Sequence, residues 1–156
     1  PCELTLRTTA DGIRMFAEPV KEIAGLHAKK HTLGRTAVAP DAPASVATAG
    51  RLFDIRAVFA VGDAKAFGIQ VADTKVIYDA AKADLAGMPL APVDGKIRMQ
   101  ILVDRPSMEI VGNGGRVVQT RVFQSDGPVE SIRVFAEGGP VTLESLEVFE
   151  LKSAWK

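Results

Sequence analysis

The stretch that decides the fold is residues 97–115, which read IRMQILVDRPSMEIVGNGG. Apolar side chains mostly alternate with polar ones from Ile97 to Val103, the turn residues Asp104–Ser107 follow, and apolar residues return at Met108–Val111. A period of two is typical of half-buried strands, and the glycine-rich end supplies the positive φ angles of a tight turn. The stretch therefore predicts a strand, a corner, a second strand and a hairpin turn.

The same alternation recurs along the chain. It closes the sequence at residues 143–155, LESLEVFELKSAW, and it opens it at residues 4–17, where Asp11-Gly12 predicts a hairpin. In Leu52–Val61 it places Phe53, Ile55, Ala57 and Phe59 on one face. Further strands are predicted at Phe67–Val71, Lys75–Asp79, Val117–Phe123, Ser131–Ala136 and Val141–Leu151. About ten short strands with regularly spaced turn signals are typical of a β-sandwich.

Helix is scarce in this pattern. Pro19–Leu26 predicts one or two helical turns, and Asp79–Gly87 has helical residues that also suit a loop. The two prolines in Ala39–Ser45 predict an exposed loop. No linker divides the 156 residues, so residues 1–156 are interpreted as one domain.

Composition excludes several classes of partner. Nineteen Lys and Arg balance nineteen Asp and Glu, so there is no positive field to hold nucleic acid. No apolar run has the roughly 20 residues of a membrane span. The single cysteine, Cys2, cannot form an internal disulfide. The compartment, secreted or cytoplasmic, stays open because the first residue is Pro1.

Asp104 and Glu109 are the best local pair of carboxylates. A hairpin would bring them near each other, and a retaining glycosidase needs two carboxyl groups about 5–5.5 Å apart. The favoured interpretation is structural: Asp104 accepts backbone donors in a turn, and Glu109 pairs with an arginine on a neighbouring strand.

Two other pairs have the spacing of a helical face. Glu18 and Glu22 would share one, but Pro19 between them makes a continuous helix unfavourable. His27 and His31 have the spacing of a metal pair, yet no acidic residue or cysteine lies between Glu22 and Asp41. We interpret the histidines as part of a solvated basic surface, and we predict neither a metal site nor a cofactor.

Four segments carry a family resemblance. Glu3–Thr9, Glu18–Ile23, Ile101–Ile110 and Leu151–Trp155 resemble, in this order, the C-terminal β-sandwich of glycoside hydrolase family 32, which contains invertases, levanases and inulinases. The resemblance implies an all-β, two-sheet jelly-roll sandwich of the concanavalin-A-like kind. In that family an N-terminal five-bladed propeller carries the catalytic carboxylates, and its Asn-Asp-Pro-Asn-Gly, Arg-Asp-Pro and Glu-Cys motifs are absent here. The chain is therefore expected to be non-catalytic.

The resemblance implies two functions for such a module. The first is architectural: the sandwich packs against the catalytic propeller and stabilises it, and in some members it shapes homodimers. The second is recognition of fructose or of a fructan such as levan or inulin. The candidate carbohydrate-binding residues are Glu18, Glu22, Asp104, Arg105, Glu109 and Trp155. An exposed apolar face favours the first function, and a polar groove containing Glu and Arg favours the second.

Overall fold

The computed structural model describes residues 1–154. Within them the chain forms fifteen strands: β1 (Cys2–Thr9), β2 (Gly12–Pro19), β3 (His27–Leu33), β4 (Thr36–Val38), β5 (Ala44–Ala47), β6 (Phe53–Ala60), β7 (Ala66–Val71), β8 (Thr74–Asp79), β9 (Asp84–Leu85), β10 (Met88–Pro89), β11 (Lys96–Val103), β12 (Ser107–Gly112), β13 (Val117–Val122), β14 (Ser131–Glu137) and β15 (Val141–Leu151). A 3₁₀ helix (Lys21–Leu26) joins β2 to β3. Among these residues no helix is long and apolar enough to cross a membrane.

The described strands from β3 onward form two antiparallel sheets. The six-stranded sheet has the order β10-β9-β8-β7-β14-β5. The seven-stranded sheet has the order β13-β12-β11-β6-β15-β3, and β4 pairs with β15 beside this path. Apolar side chains from both sheets meet in one core, so the predicted all-β sandwich is confirmed.

The core follows the predicted alternation. Phe53, Ile55 and Phe59 of β6 are fully buried, as the period of two requires. Phe59 meets Phe67 of the other sheet with ring centroids 4.9 Å apart, and Phe67 meets Tyr78 at 5.1 Å. The tilted contact between Phe59 and Phe67 joins the two sheets, and Tyr78 extends the aromatic cluster within the six-stranded sheet.

The opening hairpin, formed by β1 and β2, is a separate two-stranded sheet. Thr9 pairs with Gly12, whose φ of +98° allows the tight turn. Ala17 of β2 donates a backbone hydrogen bond of 2.9 Å to Gly115, in the predicted glycine-rich turn between β12 and β13. A Cβ on Gly115 would lie 2.5 Å from the Ala17 carbonyl oxygen, so this close contact depends on glycine.

Three segments predicted as irregular or helical can be compared with the structure. The one or two helical turns predicted at Pro19–Leu26 are present as the 3₁₀ helix Lys21–Leu26. Asp79–Gly87 forms turns and β9, and Ala39–Ser45 contains a bridge between Ala39 and Ala42 before β5 begins.

A cavity and an apolar hairpin face

A cavity of about 460 Å³ lies at one end of the seven-stranded sheet. There β6 and β12 begin and β11 and β15 end, since Val103 pairs with Phe53 and with Met108. Three of the predicted site residues, Asp104, Arg105 and Glu109, line it together. Their convergence follows from the β11–β12 hairpin, whose corner carries Asp104 and Arg105 and whose second strand carries Glu109.

The corner has the predicted turn geometry. Oδ1 of Asp104 accepts the backbone N–H of Arg105 at 2.7 Å, and the Asp104 N–H donates to the carbonyl oxygen of Ser107 at 2.8 Å. The prediction that Asp104 accepts a local backbone donor is therefore confirmed. One oxygen of this carboxylate is committed to the turn, and the residue fixes the shape of the cavity rim.

Glu109 does not pair with an arginine, so that prediction is wrong. It lies opposite Leu102 on β11 and Thr120 on β13, and neither neighbour is basic. Because Met108 and Ile110 point into the core, Glu109 lies on the outer face of the sheet with Leu102, and both line the cavity. No hydrogen bond or ion pair joins the Glu109 carboxylate to another residue within 1–154.

The other candidate residues do not belong to this cavity. Glu18 lies on β2 and pairs with Arg7 of β1. Glu22 is an exposed residue of the first turn of the 3₁₀ helix and is not part of the lining. Since Pro19 ends β2, the two glutamates share no helical face, as predicted. Trp155 lies outside the described residues.

Several lining residues were not predicted. Ile23 and Leu26 come from the 3₁₀ helix, and Lys152 follows β15. Backbone hydrogen bonds of 2.9 Å, from Lys152 to Leu26 and from Leu151 to Leu52, hold these segments together. Residues this far apart in sequence give no local signal of a shared cavity.

The two histidines are half-buried and paired, so the interpretation as a solvated basic surface is wrong. Nε2 of His27 lies 3.0 Å from Oδ2 of Asp54, and Nε2 of His31 lies 2.8 Å from Oε1 of Glu150. The His31 bond joins the edge strand β3 to its neighbour β15, and the His27 bond reaches across β15 to β6. Within residues 1–154 no three His, Cys, Asp or Glu side chains are grouped as metal ligands.

Asp54 is the centre of a buried polar network on the outer face of the sheet. It is fully buried, and besides His27 it accepts hydrogen bonds from Arg56 Nη2 at 2.7 Å and Gln100 Nε2 at 2.9 Å. The His27 ring stacks on Phe149 with centroids 3.8 Å apart. This network is directly beside the cavity, because Asp54 is in register with the cavity residue Leu102.

The hairpin presents an apolar face that nothing in the described chain covers. Leu4, Leu6, Ile13 and Met15 lie on the same face and are 59–75% exposed. Phe16 on the opposite face is nearly buried, and the guanidinium of Arg7 lies 4.6 Å from its ring centroid. One face of the hairpin therefore packs against the sandwich, and the other exposes apolar side chains to solvent.

An ion pair near the hairpin turn strengthens that anchor. Arg116, next to β13, hydrogen-bonds Asp11, and this bond holds the pKa of the Asp11 carboxyl below its ordinary value. The pairing joins the tip of the hairpin to the sandwich at neutral pH.

Comparisons with known proteins were made for the whole chain. It is 30% identical to a levanase of Bacillus subtilis (strain 168), over 99% of this chain and 27% of the levanase. It is 27% identical to a levanase of Bacillus sp. (strain L7), of which it covers 20%. The chain therefore spans about a quarter of the length of these relatives.

Solved structures share the fold. An exo-inulinase from Aspergillus awamori superposes with a TM-score of 0.80 at 22% identity, over 99% of this chain and 36% of the inulinase. A β-fructofuranosidase from Schwanniomyces occidentalis gives 0.77 at 18% identity, over 97% of this chain and 40% of that enzyme. The sequence model described as the C-terminal part of glycosyl hydrolases family 32 matches residues 20–150. The chain belongs to this family, as its C-terminal β-sandwich domain.

Proposed function

We propose that the chain is a non-catalytic accessory module that docks on, and stabilises, the catalytic domain of a fructan-cleaving glycoside hydrolase. The observation that carries the proposal is the apolar face of the hairpin. Leu4, Leu6, Ile13 and Met15 form a contiguous patch of large side chains in a small sheet of two strands. Such patches on otherwise polar surfaces are typical of interaction sites.

The hairpin would be stabilised by a partner that covers its exposed apolar face. A two-stranded sheet alone is marginally stable in water, because one of its faces is always left without a core. Here Phe16 and the contact between Ala17 and Gly115 hold one face on the sandwich. Covering the exposed apolar face would stabilise the complex by about 1.5–3 kcal/mol for each large apolar side chain that becomes fully buried.

The family match supports a catalytic domain as the occupant. The C-terminal family model starts at residue 20, just after the hairpin, whereas the match to the levanase covers 99% of the chain and so includes it. In the levanase about three quarters of the length lies outside the matched region. A domain within that remainder is the partner that we assign to the apolar face.

A chimera tests the proposal. This chain would replace the matching quarter of the Bacillus subtilis levanase, and thermal inactivation of levan hydrolysis would be measured with and without the double substitution Leu6→Ser, Met15→Ser. We expect the substitutions to lower the inactivation temperature of the chimera, while the isolated chain carrying them keeps its own Tm. Val122→Ser is the matched control, since Val122 is an exposed valine of β13, outside the hairpin.

Two results would refute docking by the hairpin. One is a substituted chimera as heat-resistant as the unsubstituted one. The other is an unsubstituted chimera no more stable than the levanase truncated at the junction. Val122→Ser could also lower the inactivation temperature as much as the double substitution Leu6→Ser, Met15→Ser. In that case replacing any exposed apolar side chain by serine would have this effect, and docking by the hairpin would be refuted.

A further inference from the structure

We infer that Asn113 is a site of spontaneous deamidation, and that the turn between β12 and β13 controls the reaction by holding the Asn113 amide in hydrogen bonds. Asn113 is the only asparagine of the sequence, and Gly114 follows it directly. Both residues belong to the glycine-rich turn that contacts the opening hairpin at Gly115. The reaction needs only water and a base, so the inference is independent of the docking function.

The residue after an asparagine decides how readily the side chain reacts. Once a base in solution removes its proton, the backbone nitrogen of Gly114 attacks Cγ of Asn113, and glycine has no Cβ to obstruct the approach. The new N–Cγ bond closes a succinimide ring, the Cγ–Nδ2 bond breaks, and Nδ2 takes up a proton and leaves as ammonia. Water then opens the ring at either carbonyl group, which leaves aspartate or isoaspartate at position 113.

Three hydrogen bonds hold Asn113 in the folded chain. Its backbone N–H donates to the carbonyl oxygen of Arg98 at 2.8 Å, and its Oδ1 accepts the backbone N–H of Arg98 at 2.9 Å. Its Nδ2 donates to the carbonyl oxygen of Ala91 at 3.0 Å. Closing the ring moves Cγ to the Gly114 nitrogen and expels Nδ2, so the side-chain bonds have to break first. The turn therefore has to open before Asn113 reacts.

The products would weaken the turn and the attachment of the hairpin. A carboxylate at position 113 has no N–H to donate, so one of its oxygens would face the carbonyl oxygen of Ala91 without a hydrogen bond. Isoaspartate would also add a carbon atom to the backbone of the turn. Two positions further on, Gly115 makes the close backbone contact with Ala17 that attaches the hairpin. Deamidation is therefore expected to loosen both parts.

Two reaction rates and one exchange rate test the inference. The whole chain is kept at mildly alkaline pH, either folded or unfolded in guanidinium chloride, and mass spectrometry follows the replacement of NH₂ by OH in the peptide that contains Asn113. Hydrogen exchange of the Asn113 N–H in the folded chain gives the fraction of time for which the turn is open. We expect the folded chain to react at least about tenfold more slowly than the unfolded chain, by a factor that matches the exchange protection within about threefold.

Gly115→Ala tests the part played by the turn. The new Cβ would lie 2.5 Å from the carbonyl oxygen of Ala17, so the substitution should open the turn more often and speed the reaction of the folded chain. In guanidinium chloride the variant and the parent should react equally, because Asn113 and Gly114 are unchanged. Gly127→Ala is the matched control, since its Cβ meets no atom within 4 Å, and it should leave both rates unchanged.

Asn113→Asp reproduces one product and should lower the Tm of the chain, whether or not Gly115→Ala folds. An unchanged Tm would overturn the predicted weakening of the turn. Control by the turn would be overturned if the folded chain reacted as fast as the unfolded chain, or much faster than its exchange protection allows. The same conclusion would follow from a folded chain that exchanges the Asn113 N–H and never reacts, or from a folded Gly115→Ala variant that reacts no faster than the parent.

Discussion

Replacing Asp54 with alanine is expected to destabilise the sandwich strongly, although the residue lies on the outer face of its sheet. Its carboxylate is fully buried and accepts hydrogen bonds from Arg56 and Gln100, with His27 as a third partner. Arg56 is nearly half exposed and can be hydrated after the change, so its share is small. His27 and Gln100 are less exposed and would lose a partner at about 1–3 kcal/mol each.

The expected loss is therefore about 2–6 kcal/mol in the free energy of unfolding, the sum for the two donors. Urea denaturation followed by circular dichroism measures it. Asp54→Asn should cost less, because the amide keeps the shape and one acceptor. A double-mutant cycle with His27→Ala should show that the two losses are not additive.

Asp126→Ala is the control, since Asp126 is exposed and has no side-chain partner in the described chain. It should change stability by less than about 0.5 kcal/mol. If Asp54→Ala costs no more than this control, the network contributes nothing to stability and the reasoning from its burial is wrong.

Three further predictions concern other parts of the molecule. Gly68→Ala should destabilise by more than about 2 kcal/mol in the same assay, because the new Cβ would lie 1.9 Å from a carbonyl oxygen of the neighbouring strand, whereas Gly25→Ala has open space and should be tolerated. The lowered pKa of Asp11 stabilises the hairpin contact above the ordinary carboxyl value of 3.8; the contribution is lost as the pH falls through the lower folded value. An NMR titration should show this, and Arg116→Ala should return the pKa towards 3.8. Burial raises the pKa of Tyr78, so its phenolate should appear in ultraviolet absorption only above the ordinary value of 10.0.

The strands of the core were predictable because burial and sequence alternate with the same period. Phe53, Ile55 and Phe59 are all fully buried, and β15 has the predicted bounds Val141–Leu151. Asp54 is the instructive exception. Alternation places it opposite the core, but alternation says nothing about what covers that face, and here His27 and its neighbours do.

The edge strand β3 could not be predicted in the same way. Its sequence, HAKKHTL, has no alternating apolar face that would mark it as a strand. What holds it are bonds to distant residues: the backbone ladder with β15 and the two histidine–carboxylate pairs. The intrinsic strand preference of a residue does not reveal a partner far away in the sequence, and Glu150 is 119 residues from His31.

The residues that line the cavity also fall into two groups, those that are close in sequence and those that are distant. Asp104, Arg105 and Glu109 were found together because one short hairpin corner carries them, so their proximity is local in sequence. Lys152 and Ile23 join them only because the sheet order places β6 beside β11 and β15 beside β6. A cavity whose walls come from five separate segments can be recognised only after the strands are ordered.

The hairpin face and the cavity make different physical demands on anything that covers them. The hairpin face is apolar and presents Leu4, Leu6, Ile13 and Met15 without a charged side chain among them, so it gains by being covered permanently. The cavity keeps Glu109, Arg105 and Lys152 unpaired, and permanent cover by an apolar surface would strand these charges at a cost. A partner domain therefore suits the hairpin face better than it suits the cavity.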